Sequence, residues 1–242
     1  MIKVKKINKS FSGKHILNNI SFDISNGDSI AIIGQSGTGK SVLLKHLNGL
    51  LKPDSGTVSV DNVIINKVSY NELQSIRKKM AMVFQFGALF DSMSIEDNIL
   101  LAIKSLTNLS YKNIPSRIDK SLELVELKDV KHLMPSEISG GMKKRVGIAR
   151  AIAINPEYLL YDEPTTGLDP ITTDRINQLM KKISDKKKVT SIVVTHDMKT
   201  LKYVSNKVIM LHEGDIIFNG ETEMLFKSND KFIKYFVKGE SV

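Results

Sequence analysis

The first part of the chain alternates apolar and polar residues, the pattern of a strand with one buried and one solvent-facing side. The alternation covers Ile2–Ile7, Ile20–Ile24 and Val58–Val60. Turn-forming residues separate these segments at Ser25–Gly27 and Pro53–Gly56. We therefore predict short strands joined by turns.

Continuous apolar runs come next, of the kind found in strands that are buried on both faces. They cover Ser29–Ile33, Tyr158–Tyr161 and Thr190–Thr195. Between the last two runs, Ile171–Ile183 carries its apolar residues on one side of a helix. A strand, a crossover helix and a second strand predict a parallel α/β unit.

Two further segments differ in their spacing. From about Met93 to Ser136 the apolar positions recur as in helices, for example at Leu122, Val125 and Leu127. Lys207–Asn219 predicts a hairpin. No stretch approaches the roughly 18–20 apolar residues of a membrane-spanning helix, so we expect any membrane role to come from docking on another subunit.

Composition then limits the chemistry. The 242 residues include no cysteine, which excludes a disulfide scaffold, a thiolate metal site, a cysteine nucleophile and iron–sulfur ligation. The net charge of +9 favours anionic partners, whether nucleic acid, nucleotide phosphates or an anionic membrane face. Two basic runs, 143–145 and 186–188, are typical of a solvated helix face or loop, the second more so.

Residues 34–41, GQSGTGKS, match the phosphate-loop pattern G-x-x-x-x-G-K-[ST] in full, between a predicted strand and a helical pattern. Glycines let backbone N–H groups turn around an anion, and the following helix adds its positive dipole end. A glycine-rich turn that binds nothing would not need the lysine and the hydroxyl in register. We predict that Lys40 contacts the β- and γ-phosphates and that Ser41 ligates Mg²⁺. The predicted nucleotide-binding residues of this loop are Gly34, Gln35, Ser36, Gly37, Thr38, Gly39, Lys40 and Ser41.

The apolar run 158–161 ends in two adjacent acids, Asp162 and Glu163. Ligands of parallel α/β sheets gather at the carboxyl ends of strands, although an acid pair alone could be an ordinary surface feature. Asp162 is predicted to complete the magnesium site begun by Ser41, as a direct ligand or as the partner of one. Glu163 is predicted to polarise the water that attacks the γ-phosphate, a role worth roughly 10²–10⁴-fold in rate.

A third segment, Ile138–Arg145 with the sequence ISGGMKKR, precedes the acidic strand. Its serine and two glycines at a helix start can hold a γ-phosphate, although alone they would indicate only a helix N-cap with a glycine turn. Together with the phosphate loop and the acid pair, the segment resembles the signature of ATP-binding cassette (ABC) transporter ATPase subunits. In that family the signature contacts the nucleotide bound by a second copy.

Other positions match further elements of that family in chain order. Phe11 matches the aromatic residue that stacks on adenine, although a core phenylalanine would look the same in the sequence. Gln85 matches the glutamine that touches Mg²⁺ and water, His196 the switch histidine at the γ-phosphate, and Asp169 the loop that crosses the dimer seam. The resemblance assigns catalysis to Glu163, His196 and Gln85, the metal to Ser41, Gln85 and Asp162, and further nucleotide contacts to Phe11, Ser139, Gly140, Gly141 and Asp169.

The resemblance implies an α/β fold: a P-loop NTPase core with a parallel sheet, an N-terminal antiparallel β subdomain and an inserted α-helical subdomain. Residues 1–242 would then form a single ABC ATPase domain. The implied nucleotide-binding core with its β subdomain covers 1–90 and 155–220, the helical signature subdomain about 91–154, and a C-terminal helix or tail 221–242.

The match narrows to the Mla/MCE phospholipid-transport branch through residues 85–91, Met142 and Asp169–Thr172. That branch implies an ATP- and Mg²⁺-dependent ATPase that acts as a homodimer. It also implies an MlaE-like integral-membrane permease, a STAS-domain regulator and a periplasmic MCE-type lipid-binding subunit. The protein would sit peripherally on the cytoplasmic face of a bacterial inner membrane.

Three alternatives remain at this stage. Another ABC transporter, for amino acids, ribonucleotides or lipoproteins, would use the same residues and differ in its cargo. A soluble ABC ATPase of iron–sulfur cluster assembly usually carries Glu at the position of Met142, which argues against it. The +9 charge suggests an ABC protein that handles nucleic acid, but the sequence shows no tandem cassette, long coiled coil or zinc module, so we expect no nucleic-acid partner.

Overall fold

The patterned segments form strands and helices in a computed structural model that describes residues 1–240, except for the side chain of Lys187. Residues 241 and 242, the end of the predicted tail, lie outside the described residues. The strands are β1 Ile2–Phe11, β2 Lys14–Ile24, β3 Ser29–Ile33, β4 Ser55–Val60, β5 Val63–Ile64, β6 Met80–Val83, β7 Tyr158–Asp162, β8 Thr190–Val194, β9 Lys207–His212 and β10 Asp215–Glu221. The α-helices are α1 Lys40–Leu47, α2 Tyr70–Arg77, α3 Ile95–Leu106, α4 Ile114–Leu124, α5 Gly140–Ala153, α6 Pro170–Lys187, α7 Met198–Val204, α8 Thr222–Phe226 and α9 Lys231–Lys238.

The larger sheet has the order β10-β9-β3-β8-β7-β6 and is parallel except for β10, which runs antiparallel to β9. Helix α6 crosses over from β7 to β8, which confirms the predicted parallel α/β unit. Leu160 pairs with Ile192, and Ile32 pairs with Val194. The loops that follow β3, β7 and β8 therefore meet at one edge of the sheet.

The smaller sheet is antiparallel, with the order β2-β1-β4-β5, as the resemblance implied. Its inward residues share one hydrophobic cluster with α1 and the larger sheet. Leu43 and Leu44 of α1 are fully buried in that cluster. Burial of each such side chain stabilises the fold by about 1.5–3 kcal/mol. Helix α1 is thereby fixed, and the loop that precedes it is fixed as well.

Helices α3, α4 and α5 pack against the other side of β7 in a second cluster, which includes Ile99, Ile118 and Val146. The predicted helical spacing through Val125 and Leu127 is wrong, because α4 ends at Leu124.

The end of α4 has the hydrogen bonds of a Schellman motif. Glu126 adopts φ +58°, its N–H donates to the Glu123 carbonyl at 3.0 Å, and the Leu127 N–H donates to the Leu122 carbonyl at 3.0 Å. Leu127 is nevertheless buried. A prediction from hydrophobic spacing alone therefore placed the end of this helix too far along the chain.

The predicted hairpin near the C-terminus is confirmed as β9 and β10, with its turn at Glu213 and Gly214. Leu225 of α8 and Ile233 of α9 pack with Met210 of β9 in a third cluster. Among the helices of the described residues, none combines the length and apolar character needed to cross a membrane.

An ionic contact joins the two sheets at the edge opposite the β3, β7 and β8 loops. The Tyr158 hydroxyl donates to Asp61 Oδ1 at 2.6 Å, and Lys79 Nζ donates to Asp61 Oδ2 at 3.1 Å. Partial burial raises the pKa of Asp61, but hydrogen bonds from Tyr158, the Met1 amino group and Lys79 outweigh it and lower that pKa to about 2. The carboxylate is therefore ionised at neutral pH.

Candidate active site

The phosphate-loop segment connects β3 to α1 and folds around its own lysine. Lys40 Nζ donates to the backbone carbonyls of Gly34 at 2.9 Å and Gln35 at 2.8 Å, and the residue is 7% exposed. Burial lowers the pKa of the Lys40 ammonium, while the carboxylates of Glu163 and Asp162 oppose that change. A buried cation with only two backbone acceptors is a strong attractor for an anion.

Gly39 shapes the junction between this loop and α1. Its φ is +95°, and a Cβ built on it would lie 2.8 Å from the Ile16 carbonyl oxygen of β2. An L-residue would face both a strained backbone and a steric overlap there. The glycine thus lets the loop approach β2 closely as it enters the helix.

Ser41 and Asp162 meet directly although they come from distant parts of the chain. Ser41 Oγ donates to Asp162 Oδ1 at 2.7 Å, and Ser41 and Gln85 line one cavity. Hydroxyl, carboxylate and amide oxygens suit Mg²⁺, which takes one or two protein carboxylates together with substrate phosphates. Among the described residues, no group of three or more His, Cys, Asp or Glu side chains could hold a metal. The hydroxyl of Ser41 and the carboxylate of Asp162 are donors that fit a magnesium ion shared with a nucleotide.

Glu163 occupies a strained backbone position at the end of β7. Its φ is +50°, uncommon for a residue other than glycine, and its N–H donates to the Val194 carbonyl at 3.0 Å. Glu163 Oε2 accepts a hydrogen bond from Thr166 Oγ1 at 3.0 Å and lies 2.9 Å from His196 Nδ1. The Glu163 side chain is 15% exposed and that of His196 59%. The carboxylate is thus held by two partners, of which His196 faces open solvent.

One cavity of about 620 Å³ collects most of the predicted side chains. Phe11 lies on its wall and is 43% exposed, so the alternative of a core phenylalanine is wrong. Gly34 and Gln35 contact Lys40 through their backbone carbonyls. The cavity is lined by Phe11, Ile16, Ser36, Gly37, Gly39, Lys40, Ser41, Val42, Gln85, Glu163, Thr166 and His196.

Comparison with known proteins agrees with this geometry. A family profile described as "ABC transporter" matches residues 17–166. The chain belongs to the ABC transporter family. As a member of that family it is an ATPase.

Two curated ABC proteins and one solved structure illustrate the similarity. The intermembrane phospholipid transport system ATP-binding protein MlaF of Haemophilus influenzae is 38% identical over 241 residues, which cover 100% of this chain and 91% of that protein. The methionine import ATP-binding protein MetN of Clostridioides difficile is 36% identical over 242 residues, which cover 100% and 75% respectively. A dimeric structure of a post-hydrolysis state of the ATP-binding cassette MJ0796 bound to ADP and Pi has a TM-score of 0.85 at 32% identity, and covers 92% of this chain and 99% of its own.

The residues predicted to contact the nucleotide of a second copy lie outside the cavity. Ser139 caps α5, and its Oγ accepts a hydrogen bond from the Met142 N–H at 3.3 Å. A Cβ on Gly141 would lie 2.7 Å from Thr172 Cγ2, so the start of α5 is beside the start of α6. Asp169 caps α6 by accepting hydrogen bonds from the N–H groups of residues 171 and 172. None of residues 139–141 or 169 lines the cavity of the same chain.

Two site features were not predicted from the sequence. Thr166 lines the cavity, and its hydroxyl donates a hydrogen bond to Glu163. Lys144 is only 6% exposed, and its Nζ donates to the Thr166 carbonyl at 2.5 Å. The interpretation of 143–145 as a solvated run is therefore wrong for Lys144, whereas Lys186 and Lys188 of the second run are exposed. The side chain of Lys187 lies outside the described residues.

Helical periodicity gave a usable signal for Lys144. Lys144, Ile148 and Ala151 follow the i, i+4, i+7 spacing of one helix face, and the latter two are buried.

Proposed function

We propose that two copies of the chain form a nucleotide-sandwich dimer, in which each ATP lies between the cavity of one copy and Ser139–Gly141 of the other. One observation carries this proposal. Lys40, Ser41, Glu163 and His196 converge on one cavity, while the start of α5 lies outside it on the same chain. The N–H groups at a helix start suit a γ-phosphate, so a second copy can supply them. The dimeric state of the similar cassette MJ0796 supports the same arrangement.

In this proposed site, Lys40 exchanges its two backbone acceptors for β- and γ-phosphate oxygens. Ser41, Asp162 and Gln85 would hold Mg²⁺, which would supply positive charge to offset that of the phosphates. The ring of Phe11, a residue that is 43% exposed, stacks on the adenine. These contacts position the nucleotide. The face of the γ-phosphate that the water attacks is then directed toward Glu163.

Glu163 accepts the proton of the attacking water in the proposed mechanism. Thr166 and His196 orient its carboxylate, and the second ring nitrogen of His196 is left to face the γ-phosphate. The signature serine and glycines of the partner close the site and stabilise charge on the transferred group. Hydrolysis removes the γ-phosphate contacts and lets the two copies separate.

The Glu163→Gln variant tests this arrangement. We expect it to bind ATP, to lose about 10²-fold or more in hydrolysis, and to accumulate as a stable dimer with Mg-ATP. Light scattering coupled to size exclusion reports the dimer, and Glu157→Gln, an exposed acid just before β7, is the matched control. Normal turnover in Glu163→Gln would remove that residue from the base role. A variant that binds ATP but stays monomeric would contradict the sandwich.

We further propose that the cassette drives phospholipid transport, peripherally on the cytoplasmic face of a bacterial inner membrane. Support comes from 38% identity across the whole chain with a phospholipid-transport ATPase and from the Met142 and Asp169–Thr172 matches. The proposed partners are an MlaE-like permease, a STAS-domain regulator and a periplasmic MCE-type lipid-binding subunit. The similarity to a methionine importer, at 36% identity, makes amino-acid import the second candidate.

Purification of the tagged chain from detergent-solubilised membranes distinguishes these cargoes. We expect a multi-spanning permease to co-purify, and the complex in liposomes to move a fluorescent phospholipid between leaflets or to an acceptor only with Mg-ATP. Methionine-stimulated ATPase activity without lipid movement would favour the second candidate. A soluble scaffold as the sole partner would contradict transport altogether.

A further inference from the structure

Helix α5 contacts the loop that follows β7, which carries Glu163 and Thr166, through Lys144 of the same chain. This lysine is 6% exposed, and its Nζ donates to the Thr166 carbonyl at 2.5 Å. Burial of an ammonium is costly, and here burial lowers its pKa while the Glu163 carboxylate opposes that change. Packing of α5 alone does not require a cation, because an apolar residue would satisfy a buried helix face.

From Lys144 a short chain of hydrogen bonds leads to the reacting groups. The Thr166 carbonyl accepts from Lys144, the Thr166 hydroxyl donates to Glu163 Oε2 at 3.0 Å, and the same oxygen lies 2.9 Å from His196 Nδ1. A displacement of Lys144 therefore acts on the Thr166 backbone, which carries the hydroxyl that orients Glu163. Carboxylate orientation matters because a misplacement of about 1 Å can cost about 10²-fold in rate.

Helix α5 also holds the loop after β6, which contributes Gln85 to the cavity. Arg150 donates to the carbonyls of Gly87 at 2.9 Å and Ala88 at 2.7 Å, which lie two and three residues beyond Gln85. A Cβ on Gly147 would lie only 3.1 Å from the Gly87 Cα, so helix and loop are in close contact. Helix α5 is thus tied to both loops that contribute Gln85 and Glu163 to the cavity.

We propose that Lys144 is a positioning residue that couples the two ATP sites of the dimer. This inference rests on the proposed sandwich, in which the start of α5 contacts the nucleotide of the other copy. Nucleotide bound at that end of α5 fixes the position of the helix. Lys144 then holds the Thr166 backbone in place, and Thr166 holds the carboxylate of Glu163 in its own site. Each site then turns over fastest when the other is filled.

Steady-state kinetics of the full-length protein test the coupling in three variants. Lys144→Gln removes the charge at similar length, and Lys144→Arg keeps a cationic donor. Arg117→Gln is the matched control, because Arg117 donates to the Ala153 carbonyl at 3.1 Å, a cation-to-carbonyl bond at the far end of α5. In Lys144→Gln we expect kcat to fall about tenfold, the Hill coefficient for ATP to fall from above one to one, and ATP affinity to stay within about twofold. Lys144→Arg should recover most of the cooperativity, and Arg117→Gln should keep both parameters.

The outcomes separate this inference from the proposed function. If the wild type forms no dimer with Mg-ATP, the sandwich itself fails. If the wild type dimerises but hydrolyses ATP with a Hill coefficient of one, or if Lys144→Gln matches Arg117→Gln in kcat and Hill coefficient, the coupling role is overturned. Should Lys144→Gln not fold, Thr166→Val breaks the next hydrogen bond, between the Thr166 hydroxyl and Glu163. This variant must then lose both kcat and cooperativity. A Thr166→Val variant that keeps the wild-type Hill coefficient overturns the role equally.

Discussion

Replacement of Gly39 by alanine tests whether the close contact between the phosphate loop and β2 requires glycine. Gly37 in the same loop provides the control. Both glycines have positive φ, +95° at Gly39 and +82° at Gly37. A Cβ at Gly37 meets nothing within 4 Å, whereas a Cβ at Gly39 lies 2.8 Å from the Ile16 carbonyl oxygen. The two variants therefore share the backbone strain and differ in the overlap with β2.

The expected difference in the free energy of unfolding follows from these two costs. The left-handed conformation costs alanine roughly 1–2 kcal/mol, and the reduced freedom of the unfolded chain returns about 0.4–1 kcal/mol. The overlap at Gly39 adds about 1–3 kcal/mol, because backbone must shift to relieve it. We expect a loss of about 1 kcal/mol for Gly37→Ala and about 2–4 kcal/mol for Gly39→Ala. At about 3 °C per kcal/mol for a chain of this size, the melting temperature falls by about 3 °C and about 6–12 °C respectively.

Thermal denaturation followed by circular dichroism, without nucleotide, measures both shifts. Titration with a fluorescent ATP analogue then shows whether the displaced loop still binds phosphate, and we expect the larger loss of affinity in Gly39→Ala. Equal melting temperatures for the two variants would refute the argument that close approach of the loop to β2 requires glycine.

Two further predictions concern single carboxylate contacts. Ser41→Ala removes the hydroxyl that bonds Asp162, so we expect Mg-ATP affinity to fall about 10–100-fold while binding of ATP in EDTA is unchanged, as isothermal titration calorimetry can measure. Equal losses with and without Mg²⁺ would argue against a magnesium role. Asp61 has a pKa of about 2, below its unfolded value, so its contribution to stability is fully present above about pH 4 and is lost as pH falls toward 2. After allowance for solvent screening, Asp61→Asn should lower the free energy of unfolding by about 1 kcal/mol at pH 7 and by progressively less below pH 4. Urea titrations at several pH values measure this difference. A cost that does not change with pH would contradict this assignment.

Local patterns were sufficient to predict the parts of the site that are contiguous in sequence. The phosphate loop at 34–41 and the Asp162–Glu163 pair each follow a short apolar strand, and parallel pairing necessarily brings such strand ends together. The contact between Ser41 and Asp162 was predictable for that reason. Gln85 carried no such signal, because only its position among the motifs of the ABC family along the chain pointed to it.

Features that depend on packing between elements were not predictable. Helical spacing places Lys144 on the buried face of α5, but only the assembled structure shows that its ammonium meets the Thr166 carbonyl. The end of α4 was misplaced because Glu126 adopts the left-handed conformation without a glycine to signal it. Strand β6, Met80–Val83, is too short for its hydrophobicity to distinguish a strand from a helix.

Mixing of two inactive variants tests the composite site most directly. Lys40→Ala disables the cavity of one copy, and Ser139→Ala disables the surface offered to the partner. If each ATP lies between two copies, a heterodimer of these variants contains one intact site. An equal mixture should then regain ATPase activity, up to about a quarter of the wild-type rate, while each variant alone stays inactive. A mixture that forms heterodimers yet remains inactive would contradict the account.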